Sequence, residues 1–494
     1  MDQITATHRP NAGDCDCESD GPLLTDEWLR KLDVPGPRYT SYPTADRFVE
    51  AYTPAHHHQA LQQRGAGGLG GVAGSGGPLS IYVHVPFCES VCYYCACNKV
   101  VTRDHSRSEA YLRALVTEMD LVIAALGAAS SGGARALLPP QVSQLHFGGG
   151  TPTYLSDGQL RELMGEIHQR FTLQRQGEYS IEIDPRTVDG ERLAQLAALG
   201  FNRISFGVQD FDPAVQRAVH RVQPFEQVEA LMTQARALNF ASINVDLIYG
   251  LPRQTAESFV TTVSQVAGLR PDRIALYGYA HLPRRFKPQR RIADADLPTG
   301  TQRIGMLSAG IAGFISHGYT YIGMDHFALP DDALAVAKRH GLLHRNFQGY
   351  STQADCDLIG LGVSSISRVG ATFSQNAKSL PEYYDAIASG QLPTVRGLAL
   401  TRDDLVRRAV IMAIMCHGRV SFESIELSHL VEFKRSFGTE LQALAGLAEA
   451  GLLTMDADGF DLTALGWYFV RSVAMVFDRY VQADQTRERF SKVI

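Results

Sequence analysis

The sequence predicts an α/β fold: an incomplete (β/α)6 barrel with an N-terminal extension and a mainly α-helical C-terminal domain. Three observations carry this expectation. Between residues 79 and 283, six short runs rich in β-branched and aromatic residues alternate with helix-length segments, the pattern of βαβ units and a parallel sheet. Cysteines, glycines and acids recur where those runs end, which is where β/α barrels keep their functional loops. Beyond Leu400 the alternation stops, and LTRDDLVRRAVIMAIMCHGRVSFESIE repeats its apolar residues at helical spacing.

Residues 1–78 make the N-terminal tail and extension. The opening MDQITATHRPNAGDCDCESD carries several acids and no apolar stretch, so it does not read as a secretory leader. Cys15 and Cys17 are expected to be idle thiols in that tail. His56, His57 and His58 fall on a short helix, where consecutive side chains diverge. They are expected on a solvated face and not as a ligand set. RGAGGLGGVAGSGG at 64–77 is a Gly-rich linker. In the core, 79–283, the β-rich runs are 80–85, 142–147, 179–183, 203–208, 243–248 and 273–279. The helices between them are expected at 108–126, 157–171, 190–199, 225–238 and 255–267, with a small-residue loop at 127–134. Residues 284–399 contain polar, loop-rich stretches, as in 340–352, and should flank and connect the barrel. Residues 400–494 should form a helical, winged-helix-like domain with a hairpin at 452–462.

Composition narrows the function class. The chain has 494 residues, 45% hydrophobic and 20% charged, with net charge −6, so it has ample core material and no overall basic footprint for nucleic acid. No run approaches the roughly 18 apolar residues of a spanning helix. A cytoplasmic protein that binds neither nucleic acid nor membrane is expected. Four of the eight cysteines crowd into positions 88–97, which points to metal or redox chemistry and not to disulfides.

Those four lie in CESVCYYCAC, after the first β-rich run. Cys88, Cys92 and Cys95 have C-x3-C-x2-C spacing, which suits thiolate ligation of a four-iron cluster. Three ligands leave one iron open, as in catalytic metal sites that keep a free coordination position. The same triplet also fits a structural zinc or an electron-transfer cluster, although no second C-x-x-C pair follows it. The second strand end reads FGGGTP from Phe147 to Pro152, where glycines let backbone N–H groups approach a ligand. Glu182, Gln209, Asp210 and Asp246 mark later strand ends. One such charge is compatible with a core ion pair, but several on one sheet point to a shared polar ligand site.

The three-cysteine loop after a β-strand resembles the radical S-adenosylmethionine (SAM) superfamily. The chain resembles one family within it, the oxygen-independent coproporphyrinogen III oxidases. The resemblance rests on PGPRYTSYPTA at 35–45, YVHVPFCESVCYYCACNK at 82–99, HFGGGTPTYL at 146–155 and SIEIDPR at 180–186. It continues in FNRISFGVQDF at 201–211, DLIYGLPRQT at 246–255, YIGMDHFALPDDALA at 321–335, HRNFQGYSTQ at 344–353 and the final RFSKVI. It implies that Cys88, Cys92 and Cys95 hold a [4Fe–4S] cluster. It implies SAM contacts at Tyr82, Gly149, Glu182 and Ile366. Tyr94, Gly150, Thr151, Gln209, Arg221, Asp246 and Ala280 would line the same region or a second SAM site. Cys97 is not an expected ligand.

The implied reaction is anaerobic oxidative decarboxylation of two propionates of coproporphyrinogen III to vinyl groups, giving protoporphyrinogen IX, driven by a 5′-deoxyadenosyl radical. Radical C–H cleavage needs no acid–base pair, so none is assigned. Arg38 and Arg345 are candidate partners for the substrate carboxylates, with His344 beside them, since a guanidinium fork pairs two carboxylate oxygens. Tyr39, Tyr42, Asp325 and His326 are expected to cover the same mouth. The resemblance further implies a flavodoxin or ferredoxin as electron donor, an external final electron acceptor, and a monomer. A haem chaperone of the same family, or a radical SAM methyltransferase or cyclopropanase, remains an alternative. The chaperones generally lack Cys97 and the PRYTSYPT segment, and this chain has both.

Overall fold

The computed structural model describes residues 36–65, 77–127, 139–353 and 356–483. The tail thiols Cys15 and Cys17, the bodies of the two Gly/Ala-rich insertions and the terminal RFSKVI lie outside the described residues.

The core is a 12-stranded sheet. Its strands, in chain order, are β1 (Leu79–Val85), β2 (Gln141–Gly149), β3 (Thr172–Ile183), β4 (Arg203–Gln209), β5 (Ser242–Tyr249), β6 (Arg273–Gly278), β7 (Thr320–Gly323), β8 (His326–Ala328), β9 (Asp357–Leu361), β10 (Ile366–Val369), β11 (Thr372–Asn376) and β12 (Thr394–Ala399). The spatial order is β12-β11-β10-β9-β1-β2-β3-β4-β5-β6-β8-β7. Strands β9 and β1 to β6 run parallel, and antiparallel flaps close each edge. Helices from Ser106–Gly127 to Ala256–Leu269 connect the parallel strands. Side-chain caps set where they begin: Ser156 and Gln159 form a capping box at Asp157–Arg170, as do Thr255 and Ser258 at Ala256–Leu269.

The six β-rich runs of the sequence correspond to β1–β6. Their pattern explains the shape. Along β4, for example, burial alternates residue by residue. Ile204, Phe206 and Val208 pack outward at 2% exposure or less, whereas Ser205 and Gly207 line an interior cavity. The outward row of all six strands is apolar and meets the helices, and the inward row is polar. A packed barrel would fill that lumen with Val, Ile and Leu. Here it stays partly open.

Residues 284–399 flank the barrel with more regular structure than their polar stretches suggest. They supply a 17-residue helix, Gly300–Ser316, the five antiparallel flap strands β7, β8, β10, β11 and β12, and the parallel strand β9. Most of these strands are short and carry buried polar residues, as in Ser374, Gln375 and Asn376 of β11, so no period of two announces them, although DLIGL of β9 is a short apolar run. The C-terminal part has its own core, including Val410, Ile414, Phe433, Phe437, Phe460 and Phe477. The hairpin expected at 452–462 forms as Leu453–Met455 paired with Gly459–Leu462, joined by Arg419–Ser421.

Helix Pro54–Gly65 splays its three histidines as expected, but not all toward solvent. His57 is buried against β12, with Nδ1 2.9 Å from Thr394 Oγ1, and burial pushes its pKa down to about 4. No helix among the described residues is long and apolar enough to cross a membrane.

Candidate active site

At the C-terminal end of β1 the chain leaves Val85 and enters the cysteine loop. Phe87–Cys88 pairs with Val100–Val101, which closes that loop at its base. The Gly-rich end of β2 is stitched to it: the Gly150 N–H donates to Val85 O and the Thr151 N–H to Phe87 O, both at 2.8 Å. Gly149 stands at φ +115°, in the region that favours glycine, and a methyl there would meet the His84 ring at 2.6 Å. At Gly150 a methyl would meet the carbonyl oxygens of Pro86 and Phe87 at 2.7 Å. Glycines therefore let the second strand end press against the cysteine loop.

The two segments share a cavity of about 270 Å³ lined by Cys88, Cys92, Tyr94, Cys95, Gly149, Gly150, Thr151, Glu182, Gln209, Arg221 and Asp246, together with Cys97, Lys99, Asp184, Arg186, Ser205 and Tyr277. Gln209 reaches it from φ 71°, a left-handed conformation that bulkier side chains rarely adopt. Asp210, its neighbour in the sequence, turns away and is buried with Thr262 and Gln254.

The donors around the thiols are specific. Arg186 Nη2 and Arg221 Nη1 each lie 3.5 Å from Cys92 Sγ. Asp184 fixes both arginines, at 2.7 Å and 3.0 Å. Thr151 Oγ1 donates to Cys88 Sγ at 3.5 Å, and Lys99 Nζ donates to Cys95 O at 3.0 Å. The hydrogen bond between Cys95 and Cys97 pulls the Cys95 thiol down and pushes Cys97 up. Among the described residues no group of three or more His, Cys, Asp or Glu converges on a single metal ion. The three thiols instead border one cavity with sulfur-directed N–H and O–H donors around it. That arrangement fits a multi-iron cluster held by cysteine thiolates.

The opposite wall is acidic. Burial pushes against ionisation of Glu182, but the hydrogen bond and charge of His146, with the Gly149 N–H, outweigh it and hold the carboxyl below its usual range. His146 Nε2 lies 3.2 Å from Glu182 Oε1, and the Gly149 N–H donates to Oε2 at 3.1 Å. Burial and the neighbouring Glu182 charge push Asp246 up to about 6. A second chamber of about 190 Å³ lies beside the first and shares Glu182, Ser205, Asp246 and Tyr277 with it.

Three residues expected at the SAM region do not line the main cavity. Tyr82 stacks on His146 at 5.8 Å, and its hydroxyl lies 3.1 Å from His84 Nδ1. Ile366 begins β10, and its main chain lies against Gly360, the partner of Tyr82 across the sheet. Ala280 O accepts from Gln289 Nε2, which also donates to Tyr94 O. Of the substrate candidates, Arg38 lies over Tyr277 at 5.3 Å from the ring centroid. Arg345 donates to Arg38 O at 3.2 Å and lies over Tyr350. Tyr39 and Tyr42 do not cover the mouth: both are fully buried in the C-terminal core, where the Tyr39 hydroxyl donates to Asp478. The strap at 36–44 therefore sends Arg38 toward the barrel and its tyrosines the other way. His344 pairs with Ser351 in the strand beside Arg345 and interacts electrostatically with His417. Asp325 has Arg38, Arg471 and Arg345 around it, and burial still pushes it up to about 6. His326 packs edge-on to Tyr277 and Tyr350 and lines the second chamber.

Sequence reasoning missed His146, Asp184 and Arg186. The signal was present: His146 stands two residues before the glycines, and Asp184 and Arg186 follow Glu182 directly.

Comparison with known proteins agrees with this geometry. Residues 82–266 match the radical SAM superfamily and 400–469 match the HemN C-terminal domain. The chain is 49% identical to an oxygen-independent coproporphyrinogen III oxidase of Pseudomonas aeruginosa over 469 residues, 94% of this chain and 98% of the relative. It is 46% identical to the Escherichia coli protein of the same name over 466 residues, covering 94% and 97%. A solved structure of coproporphyrinogen III oxidase (HemN) from Escherichia coli, described as a radical SAM enzyme, superposes with a TM-score of 0.84 at 44% identity, covering 93% of this chain and 99% of that one.

Proposed function

The chain belongs to the family of oxygen-independent coproporphyrinogen III oxidases within the radical SAM superfamily, and we propose that it decarboxylates two propionates of coproporphyrinogen III to vinyl groups, giving protoporphyrinogen IX in haem biosynthesis. The observation that carries this reading is the single cavity where three thiols, a glycine-lined strand end and an ionised carboxylate meet. When bound, the [4Fe–4S] cluster and SAM supply a 5′-deoxyadenosyl radical that takes a β-hydrogen atom from a propionate, after which CO2 and one electron leave.

The chain binds, orients and excludes. Cys88, Cys92 and Cys95 hold the cluster, and Arg186 and Arg221 offset thiolate charge at Cys92. Glu182, kept ionised by His146 and the Gly149 N–H, suits the ammonium of SAM. Gly149, Gly150 and Thr151 offer main-chain polar groups beside it, while Tyr82 and Ile366 support that wall from the neighbouring strands. Tyr94, Gln209, Arg221, Asp246 and Ala280 complete the SAM region. Arg38 and Arg345, reaching the barrel interior at Tyr277 and Tyr350, hold substrate carboxylates. No residue is assigned as acid or base, because hydrogen-atom transfer requires none.

A flavodoxin- or ferredoxin-type protein supplies the reducing electron, and an acceptor outside the chain takes the last one. The enzyme works as a monomer, as the family resemblance implies. It acts in the cytoplasm, a reading supported by the free thiols, which suit a reducing compartment.

The test is anaerobic turnover with reductant, SAM and coproporphyrinogen III. CO2 and 5′-deoxyadenosine should appear together. Tight haem binding without CO2 would favour a haem chaperone, and labelled methyl transfer would favour a methyltransferase.

A further inference from the structure

The segment after β6 reads RRFKPQRR from Arg284 to Arg291. It holds five cations and no acid in a chain whose net charge is −6. Arg284, Arg285, Lys287, Arg290 and Arg291 are all exposed. None of the five makes an ion pair with a carboxylate among the described residues; Arg290 donates to Pro283 O and Arg291 to the Tyr93 hydroxyl. Exposed cations usually find local acids or scatter. Five uncompensated ones in a row create a lasting positive field.

The segment is built onto the cysteine loop. Gln289 donates to Tyr94 O at 2.9 Å. The Arg291 guanidinium lies 5.1 Å from the Tyr93 ring, whose other neighbour is the His220 ring, stacked at 5.1 Å and 9°. On the far side of the loop, Asn98 donates to Lys378 O, and Arg285 and Arg396 press on the Lys378 ammonium. The cations thus border the loop that carries Cys92 and Cys95, with Leu282 and Val222 exposed beside it at 36% and 60%. Exposed apolar residues beside a run of cations suit a short-lived protein complex. The functional reading requires one electron from outside the chain for each SAM cleaved, delivered at that loop.

Resting on that reading, we propose that residues 284–291 and Lys378 form the docking surface for an acidic, one-electron donor protein. In the complex the reduced donor loses one electron and the cluster gains it, with no atom exchanged. Association is steered by charge, so it is fast at low ionic strength and slows as salt screens the field.

The test uses cluster-loaded full-length enzyme, reduced flavodoxin as probe, and the triple variant Arg284→Glu, Arg285→Glu, Lys287→Glu. Stopped-flow oxidation of flavodoxin and its binding constant are read at low and high salt, with dithionite-driven SAM cleavage alongside. The expected result is at least a tenfold slower association at low salt, a flattened salt dependence, and unchanged cleavage with dithionite. Association equal to wild type at every salt concentration would overturn the proposal. So would a raised KM for coproporphyrinogen III with unaltered flavodoxin kinetics, which would assign the cations to substrate carboxylates. Wild-type enzyme that cleaves no SAM even with dithionite would overturn the functional reading, and this one with it.

Discussion

One methyl group added at Gly150 should remove most of the SAM chemistry without unfolding the chain. In Gly150→Ala the new carbon would stand 2.7 Å from the carbonyl oxygens of Phe87 and Pro86 and 2.8 Å from the Pro86 carbonyl carbon. All three are main-chain atoms, so no side chain can swing aside. Reaching ordinary contact requires a shift of about 0.7 Å. The Gly150–Val85 and Thr151–Phe87 hydrogen bonds, at 2.8 Å, would then stretch past normal length. Overpacking of this kind costs about 1–3 kcal/mol, and each of the two weakened bonds adds up to about 1 kcal/mol, so a loss of about 1–5 kcal/mol is expected. The same shift moves Thr151 off Cys88 Sγ, and displacement of this size at a reacting centre lowers rate by roughly 100-fold. The assay is denaturant unfolding beside anaerobic SAM cleavage, with Gly165→Ala as control. Nothing lies within 4 Å of a methyl at Gly165, in the interior of helix Asp157–Arg170, so that variant should gain about 0.5–1 kcal/mol and keep its activity. Wild-type stability and cleavage in Gly150→Ala would refute the claim that the glycine strand end is pressed onto the cysteine loop.

Glu182→Gln should weaken SAM binding to the cluster-loaded protein by about 10–100-fold, the worth of one charge-assisted hydrogen bond; an unaltered dissociation constant would remove Glu182 from the SAM site. Glu118 is buried at 2% exposure, accepts from Gly362, Asn376 and Tyr383, and is pushed up to about 7 by burial. A carboxyl that binds its proton more tightly when folded contributes its full stability below the unfolded value near 4.5 and loses it as pH rises to about 7. That loss is on the order of 3 kcal/mol, and Glu118→Gln should flatten this part of the stability profile; an unchanged profile would contradict the burial argument. Arg38→Lys, which replaces the fork over Tyr277 with a point charge, should raise KM for coproporphyrinogen III about tenfold in steady-state assays while SAM cleavage without substrate stays constant. A KM equal to wild type would release Arg38 from substrate binding.

Contiguous motifs were the most legible part of the site. Cys88, Cys92 and Cys95 sit within eight residues, and Gly149 to Thr151 fall at the next strand end, so spacing alone brought both groups together. The polar lumen was also written in the sequence, as alternation in QLHFG, SIEI, RISFG and INVD. Only pairing across strands shows that His146, Ser180 and Tyr82 share one row. The strands beyond β6 were hidden for a different reason. β9 pairs with β1 from far along the chain, Leu79 opposite Asp357, and such long-range contacts leave no local periodicity. The strap tyrosines were misjudged because one residue separates inward from outward: Arg38 meets Tyr277, and Tyr39 beside it enters the C-terminal core.

The central claim is that three thiolates leave one iron free for SAM. It is tested most directly by electron paramagnetic resonance of the anaerobically reconstituted, reduced protein with and without SAM. The account predicts a reduced four-iron signal that changes when SAM is added, and that is absent in Cys92→Ser. A bound zinc in place of iron, or a four-iron signal indifferent to SAM because Cys97 completes the ligation, would contradict it.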